Sequence, residues 1–348
     1  MQNFADYNSA GVGAADGWAM FENRTRQKSG YFVGASTGTS GNRGLYVVSD
    51  AERYEWLGVM LAKTLPRFPF ETARIALILP LNSALYKTVN APGLNLKFFD
   101  LHDGLDVLLP AVAVYGPDTV IAPPKVLRAL AESARRLPLK RVFSGAEVLD
   151  PLDRAVIEAR FGVIVREIYM ATEGLLGVAC EHGTLHLCED AVFFEWEDIA
   201  GSDFKAPIVT DFTRTTQAMC RYRMNDLLRL SDKPCPCGSP YQAVDAIEGR
   251  ADDLLIIGGT HTITPDIVRN AIVDADRRIE DFRLRQTGPD TLELILPQDL
   301  PPEAAERAQA ALAALLSSLG VSASITVRQE TLSTSARKLR RVERVWQG

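Results

Sequence analysis

Apolar positions along this chain follow two rhythms. From residue 31 to about 250, short β-rich runs alternate with longer stretches of helical spacing. The pattern predicts strands at 75–79, 96–98, 119–121, 141–143 and 163–169, with helices at 51–65, 125–136 and 151–160 between them. That alternation predicts a large α/β N-terminal domain with a mostly parallel sheet. Residues 1–30 are mixed and polar, and read as one short helix and a loop.

Near Gly249-Arg250-Ala251-Asp252-Asp253 the rhythm changes. The chain beyond it reads β (254–257), α (265–275), β (282–286), β (291–296), α (302–319) and β (323–328). Pro301 and Pro302 open the last helix and Gly320 closes it. The order predicts a domain at 1–250 and a small α+β C-terminal lid domain at 254–348, with a hinge near Asp252. There is no internal repeat and no low-complexity segment.

Composition narrows the class without naming it. The 348 residues, 47% hydrophobic and 24% charged, are those of an ordinary globular chain. The net charge is 38 − 44 = −6, so nucleic acid is not an expected partner. No signal-peptide layout and no run of about 18 apolar residues is present, so no membrane partner is expected and the cytoplasm is the expected compartment. The five cysteines (Cys180, Cys188, Cys220, Cys235, Cys237) are odd in number and clustered, which argues against a disulfide framework and for a metal.

Candidate chemistry starts at Ser36-Thr37-Gly38-Thr39-Ser40-Gly41, between the β-type runs 31–33 and 45–48. A hydroxyl-rich turn held between strands suits a polyphosphate. It lacks the Gly-Lys-Ser/Thr of a Walker loop, and a flexible linker is its bland reading. Further on come Tyr169-Met170-Ala171-Thr172-Glu173-Gly174 at a strand end, Asp226 after an arginine-rich turn, Gly249-Arg250-Ala251-Asp252, and Lys338 among Arg337, Arg340 and Arg341. Each alone reads as a helix-start carboxylate, a turn or a solvated basic run.

In this order the motifs resemble the AMP-forming acyl-adenylate superfamily, and most of all its phenylacetate–CoA ligase-like branch. The resemblance spans Val33 to Arg341. It implies that ATP is the cofactor. Ser36 to Gly41 would hold the β/γ-phosphates through Thr37, Thr39 and Ser40, and Tyr169 would lie against adenine. Thr172 and Glu173 would be catalytic, with Glu173 holding Mg²⁺. Asp226 would accept the ribose hydroxyls beside Arg250. Lys338 would bring positive charge to the carboxylate–phosphate junction. The lid would swing about Asp252. Two positions depart from the family pattern: Arg43-Gly44 stands where a Lys is common, and Arg337 stands where a Gly precedes the lid lysine. Only about 35 residues precede the phosphate loop, fewer than relatives carry. What that region supplies in relatives is then missing, replaced or provided by another subunit; a homodimer is one expected assembly.

Cys180 and His186, with Cys235 and Cys237, form a Cys₃His set suited to tetrahedral zinc. The alternative is a group of buried thiols plus a turn. Some members of the resembled branch carry zinc at such residues, and four protein ligands would make the site structural. Cys188 is a possible substitute ligand, Cys220 is expected in the core, and His182 and His261 on the surface or in loops.

The small-molecule carboxylic acid is expected to be aromatic or of medium size. Pro80 and Met170 are apolar candidates for its pocket, with the 79–83 loop and Gly145, Ala146 and Glu147, the last three also placed at the nucleotide. The acceptor is CoA by default; a carrier-protein thiol or an amine would leave the same motifs. The expected function is acid activation to an acyl-adenylate, then transfer to a thiol. An amide ligase and a degenerate non-catalytic nucleotide-binding subunit are the rivals.

Overall fold

Five strands form the parallel heart of the fold. In the computed structural model, which describes residues 3–23, 27–28, 30–35, 44–79, 89–199, 202–259, 261–332 and 340–346, they are Leu94–Asp100, Ala73–Leu79, Thr119–Ala122, Arg141–Gly145 and Val165–Ala171, hydrogen-bonded in that spatial order. All four neighbouring pairs are parallel. Alternate residues of Ala73–Leu79 serve opposite faces. Ala76 and Ile78 pack with Val112, Val126, Leu130 and Ile157 of the helices Leu105–Tyr115, Pro124–Glu132 and Pro151–Phe161. Ile75 and Leu77 face the other way, towards Leu61 and Leu65 at the end of the helix Asp50–Thr64. Cover on both faces is what lets Ala73–Leu79 read as a nearly continuous apolar run.

The chain steps from Ala73–Leu79 outward to Leu94–Asp100, then back to Thr119–Ala122 on the opposite side. This reversal of strand order creates a crevice beyond the strand carboxyl ends, where ligands of such sheets sit.

One part of the expected alternation is corrected. Between 174 and 250 the described residues contain no helix; they form Gly174–Ala179, Leu185–Leu187, Val192–Asp198, Lys205–Asp211, Met219–Arg223, Asp226–Leu230 and Ala243–Arg250. Gly174–Ala179 continues the sheet antiparallel to Val165–Ala171, and Leu185–Leu187 pairs antiparallel with Gly174–Ala179 in turn. Here the runs are short and broken by turn residues, so no helical period is sustained long enough to form a helix. The α/β class holds, with a mixed sheet. Two smaller differences concern helices. Pro124–Glu132 stops at Ser133, whose backbone is extended. Leu105–Tyr115, which the apolar pattern does not predict, carries Pro110 inside it, a residue that normally argues against a helix. Near the N-terminus, Ala14–Glu22 is helical, and Tyr31–Ala35 pairs antiparallel with Leu45–Ser49 in a separate three-stranded sheet.

The chain divides into two compact units. The first holds residues 1–195, 208–223 and 230–245; the second holds 196–207, 224–229 and 246–348. The second is α+β. Its four-stranded sheet runs Ser324–Glu330, Thr291–Pro297, Arg283–Gly288, Val342–Arg344, and the helices Pro265–Ala275 and Pro302–Ser318 share its core through Val268, Ile272, Ala308 and Leu312. Among the described residues no helix is long and apolar enough to cross a membrane.

Candidate functional site

Thr172 and Glu173 form the turn between the last parallel strand and its antiparallel neighbour, at the carboxyl edge of the sheet. The chain reverses there because Gly174 has φ +144°, a conformation that L side chains rarely adopt. A Cβ at Gly174 would also lie 2.8 Å from Asp211 Oδ2. Glu173 is buried, and its Oε2 accepts from Thr172 Oγ at 2.9 Å. Asp211, equally buried, accepts from Thr213 N at 2.8 Å and Thr213 Oγ at 2.7 Å. Two buried carboxylates therefore flank one glycine. This donor set fits Mg²⁺, which takes one or two carboxylates and fills its remaining positions with phosphate and water. Tyr169, three residues before Thr172 on the last parallel strand, is also buried.

The loop 212–217 braces this turn. Arg214 donates through Nη1 to the carbonyl oxygens of Thr172 and Glu173. Thr215 N and Thr216 N each donate to Glu52 Oε1 at 2.7 Å. Glu52 also closes the capping box of the Asp50–Thr64 helix, with Ser49 N donating to its Oε2 at 2.6 Å. Burial would raise the Glu52 carboxyl, but hydrogen bonds from Thr216 and Ser49 outweigh it and hold it down at about 2.

At the end of the neighbouring parallel strand stand Gly145, Ala146 and Glu147. Ala146 has φ +67°, the left-handed region that non-glycine residues seldom occupy and that collects at functional sites. Glu147 is placed against Lys125, 3.4 Å away, with both side chains buried. Neither Lys125, Arg214 nor Glu52 figured among the expected site residues. Only Glu52 carried a usable signal, the Ser-x-x-Glu spacing of a capping box.

The cysteine–histidine set is brought together by strand pairing. Cys180 opens the turn joining Gly174–Ala179 to Leu185–Leu187, and His186 lies on the second of these strands. His186 is opposite Ala243, so the sequence preceding that strand, with Cys235 and Cys237, lies alongside. The ligand atoms of all four residues lie within 4.8 Å of one another. Cys180 Sγ to Cys235 Sγ is 3.7 Å, and Cys237 Sγ to His186 Nε2 is 3.3 Å. Tetrahedral zinc with its usual bond lengths places neighbouring ligand atoms about 3.5–3.8 Å apart, so the set fits. His186 Nδ1 lies 3.1 Å from the carbonyl oxygen of Tyr241, a contact that, made by Nδ1–H, leaves Nε2 as ligand. Hydrogen bonds from Thr184 and the Cys237 backbone draw the Cys235 thiol down to about 6. Cys188 lies instead in an apolar cluster with Met60 and Phe143, where burial pushes its thiol up to about 12, so it is no substitute ligand. Cys220 is exposed, which corrects its expected place in the core. His182 and His261 are exposed.

In the second unit, Asp226 begins its strand and Arg250 ends another, with Arg250 Nε 3.9 Å from Asp226 Oδ1. Asn225 Nδ2 donates to Asp252 Oδ2 at 2.6 Å, and Ala251 N to the Asn225 carbonyl at 2.7 Å. Gly249 (φ +131°) turns the chain into Arg250. Asp253 pairs with Arg340 at 2.9 Å; burial raises its carboxyl to about 6 against the pull of Arg340 and Arg250. The expected phosphate-loop residues Ser36, Thr37, Gly38, Thr39, Ser40 and Gly41 lie outside the described residues. So do Arg43, Pro80, Arg337 and Lys338.

No family model matches the chain. In sequence it is similar to Protein CapK of Staphylococcus aureus, 27% identical over 187 residues that cover 51% of this chain and 39% of that protein. It is also similar to the phenylacetate-coenzyme A ligase of Thermus thermophilus, 25% identical over 166 residues, 42% of this chain and 37% of the relative. The matches thus span well under half the length of these curated relatives. In fold it is similar to 2-hydroxyisobutyryl-CoA ligase in the postadenylation state, with TM-score 0.69, 20% identity, 90% of this chain covered and 73% of that one.

Proposed function

We propose that this chain, which has the fold of the acyl-adenylate-forming ligases, activates a carboxylic acid with ATP. Pyrophosphate leaves, and the acyl group of the adenylate passes to a thiol such as that of CoA. The observation that carries the reading is the Thr172–Glu173 turn: a buried carboxylate, fixed by its neighbours, at the carboxyl edge of the parallel sheet. The family, with its phenylacetate–CoA ligase-like branch, is supported by the Thermus relative as well as by the motifs.

In this reading Glu173, with Asp211 nearby, holds Mg²⁺, which when bound neutralises charge on the pyrophosphate leaving group. Ser36 to Gly41 receive the β/γ-phosphates, and Asp226 accepts from the ribose hydroxyls. Arg250, 3.9 Å from Asp226, adds a donor beside the ribose. Tyr169 takes the adenine side, and Ala146 and Glu147 lie towards the base and the acid. Lys338 supplies a point charge where carboxylate meets α-phosphate, and the second unit acts as a lid hinged near Asp252. The acid is aromatic or medium-sized. Cys180, His186, Cys235 and Cys237 hold a structural zinc with no open position for catalysis. Five cysteines without a disulfide suit a reducing compartment, the cytoplasm.

The test is Mg²⁺-dependent ATP–pyrophosphate exchange across aryl and medium-chain acids. Exchange that depends on one acid class is the expected result, followed by consumption of CoA thiol in the full reaction. Exchange with no acid, from folded protein, would favour the non-catalytic nucleotide-binding reading. An amine requirement in place of a thiol would favour the amide ligase.

A further inference from the structure

A buried guanidinium normally meets a carboxylate, because an unpaired buried charge is costly. Arg214 does not. Among the described residues it makes no ion pair within 4.0 Å, and its Nε is buried with no acceptor. What it does meet is main chain: Nη1 lies 3.3 Å from the carbonyl oxygen of Thr172 and 3.2 Å from that of Glu173. Nη2 reaches Gln217 Oε1 at 3.5 Å. Burial lowers its proton affinity, while Asp211, Glu52 and Glu173, close by without touching it, pull the other way.

The loop carrying Arg214 is fixed on both sides. Asp211 accepts from Thr213, and Glu52 accepts from Thr215 and Thr216. Gln217 Oε1 accepts from Val47 N at 2.8 Å, on the strand that comes after the hydroxyl-rich segment. Every anchor is a helix start or a paired strand, so the guanidinium has a rigid base. Its two carbonyl contacts define the orientation of the two peptide planes from which the Glu173 side chain departs.

We infer that Arg214 is a positioning residue for adenylation: it locks the Thr172–Glu173 turn so that the Glu173 carboxylate is held in place for the divalent cation that accompanies ATP. This rests on the adenylation reading above. The effect is on the metal and its phosphates, and binding of the acid is unaffected.

The experiment compares wild type with Arg214→Met and Arg214→Lys by two readouts. The first is pyrophosphate exchange against Mg²⁺ concentration and, separately, against acid concentration. In Arg214→Met the half-saturating Mg²⁺ rises about tenfold and the rate falls about 10- to 100-fold, while the KM for the acid stays within about twofold. Arg214→Lys, which keeps the charge and can reach one carbonyl, recovers part of both losses. The second readout is amide hydrogen exchange without ligand. In Arg214→Met, protection falls at 172–175, and that of the Asp50–Thr64 helix is kept. Unchanged Mg²⁺ dependence in an active variant would overturn the inference, as would a uniform loss of protection with no selective effect at the turn. If wild type shows no exchange with any acid, the adenylation reading fails on that control alone. Unaltered protection at 172–175 in the folded variant would then overturn the brace itself. Should Arg214→Met fail to fold, Arg214→Lys carries both readouts, with a smaller shift expected in each.

Discussion

Two polar clusters in the first unit are built on opposite logics. At Cys180, His186, Cys235 and Cys237, four soft donors converge on one point, and a single ion would satisfy them all. At Thr172–Glu173, one carboxylate is held by neighbours that are not themselves ligands: a hydroxyl, a guanidinium on the backbone and a glycine turn. A closed shell contributes folding energy and leaves no position for a substrate; a braced carboxylate with one more nearby contributes little stability and leaves coordination for phosphate and water. On the proposed reading, the first cluster holds the fold and the second one works.

The largest expected effect breaks the first cluster. Cys235→Ser, or removal of zinc by a chelator, should lower the melting temperature by about 10 °C or more, since structural zinc carries on the order of 10 kcal/mol of apparent binding energy. Elemental analysis should find one zinc per chain in wild type. A chelated protein with an unchanged melting temperature would contradict the structural role. Next in size, Glu173→Gln should cut adenylation about 100-fold or more while the melting temperature moves by no more than a few degrees. A variant with full exchange activity removes Glu173 from the chemistry.

A smaller effect tests the brace through pH. The Glu52 carboxyl is depressed from 4.5 to about 2, so its contribution is fully present above pH 4.5 and is lost as pH falls towards 2. Glu52→Gln should cost on the order of 2 kcal/mol at pH 7 and much less near pH 2, measured by urea titration at both values. Equal costs at the two would show that charge is not what the loop 212–217 reads. The smallest effect belongs to the second unit. The Asp253 carboxyl is raised from 3.8 to about 6, so the stability linked to its proton is complete below pH 3.8 and is lost as pH rises through 6. Asp253→Asn should therefore flatten the decline in stability between pH 5 and 7. An unaltered slope would mean that Arg340 and Arg250 already hold the carboxylate ionised.

Much of the first unit's heart and most elements of residues 254–330 were legible in the sequence, because their runs are long and periodic. The strand expected at 291–296 is Thr291–Pro297, and the helix expected at 302–319 is Pro302–Ser318, opened by Pro and closed by Gly320. The antiparallel run from 174 to 250 was not legible, since strands of three to eight residues carry too little period to be told from loops. The Cys₃His set was visible as a composition of donors. That His186 and Cys237 lie 3.3 Å apart depends on the pairing of His186 with Ala243, a long-range fact no local pattern encodes. Arg214 gave no signal at all, because it acts on backbone carbonyls about forty residues away in the chain.

The central claim is that this chain transfers an adenylyl group to a carboxylate, and isotope transfer tests it most directly. With the acid labelled by ¹⁸O in its carboxyl group, the bridging oxygen of the acyl-adenylate comes from the acid, and it stays on phosphorus when the acyl group moves to the acceptor. The account predicts one ¹⁸O in the AMP released. Turnover that yields ADP and ¹⁸O-labelled orthophosphate, with unlabelled AMP or none, would contradict it.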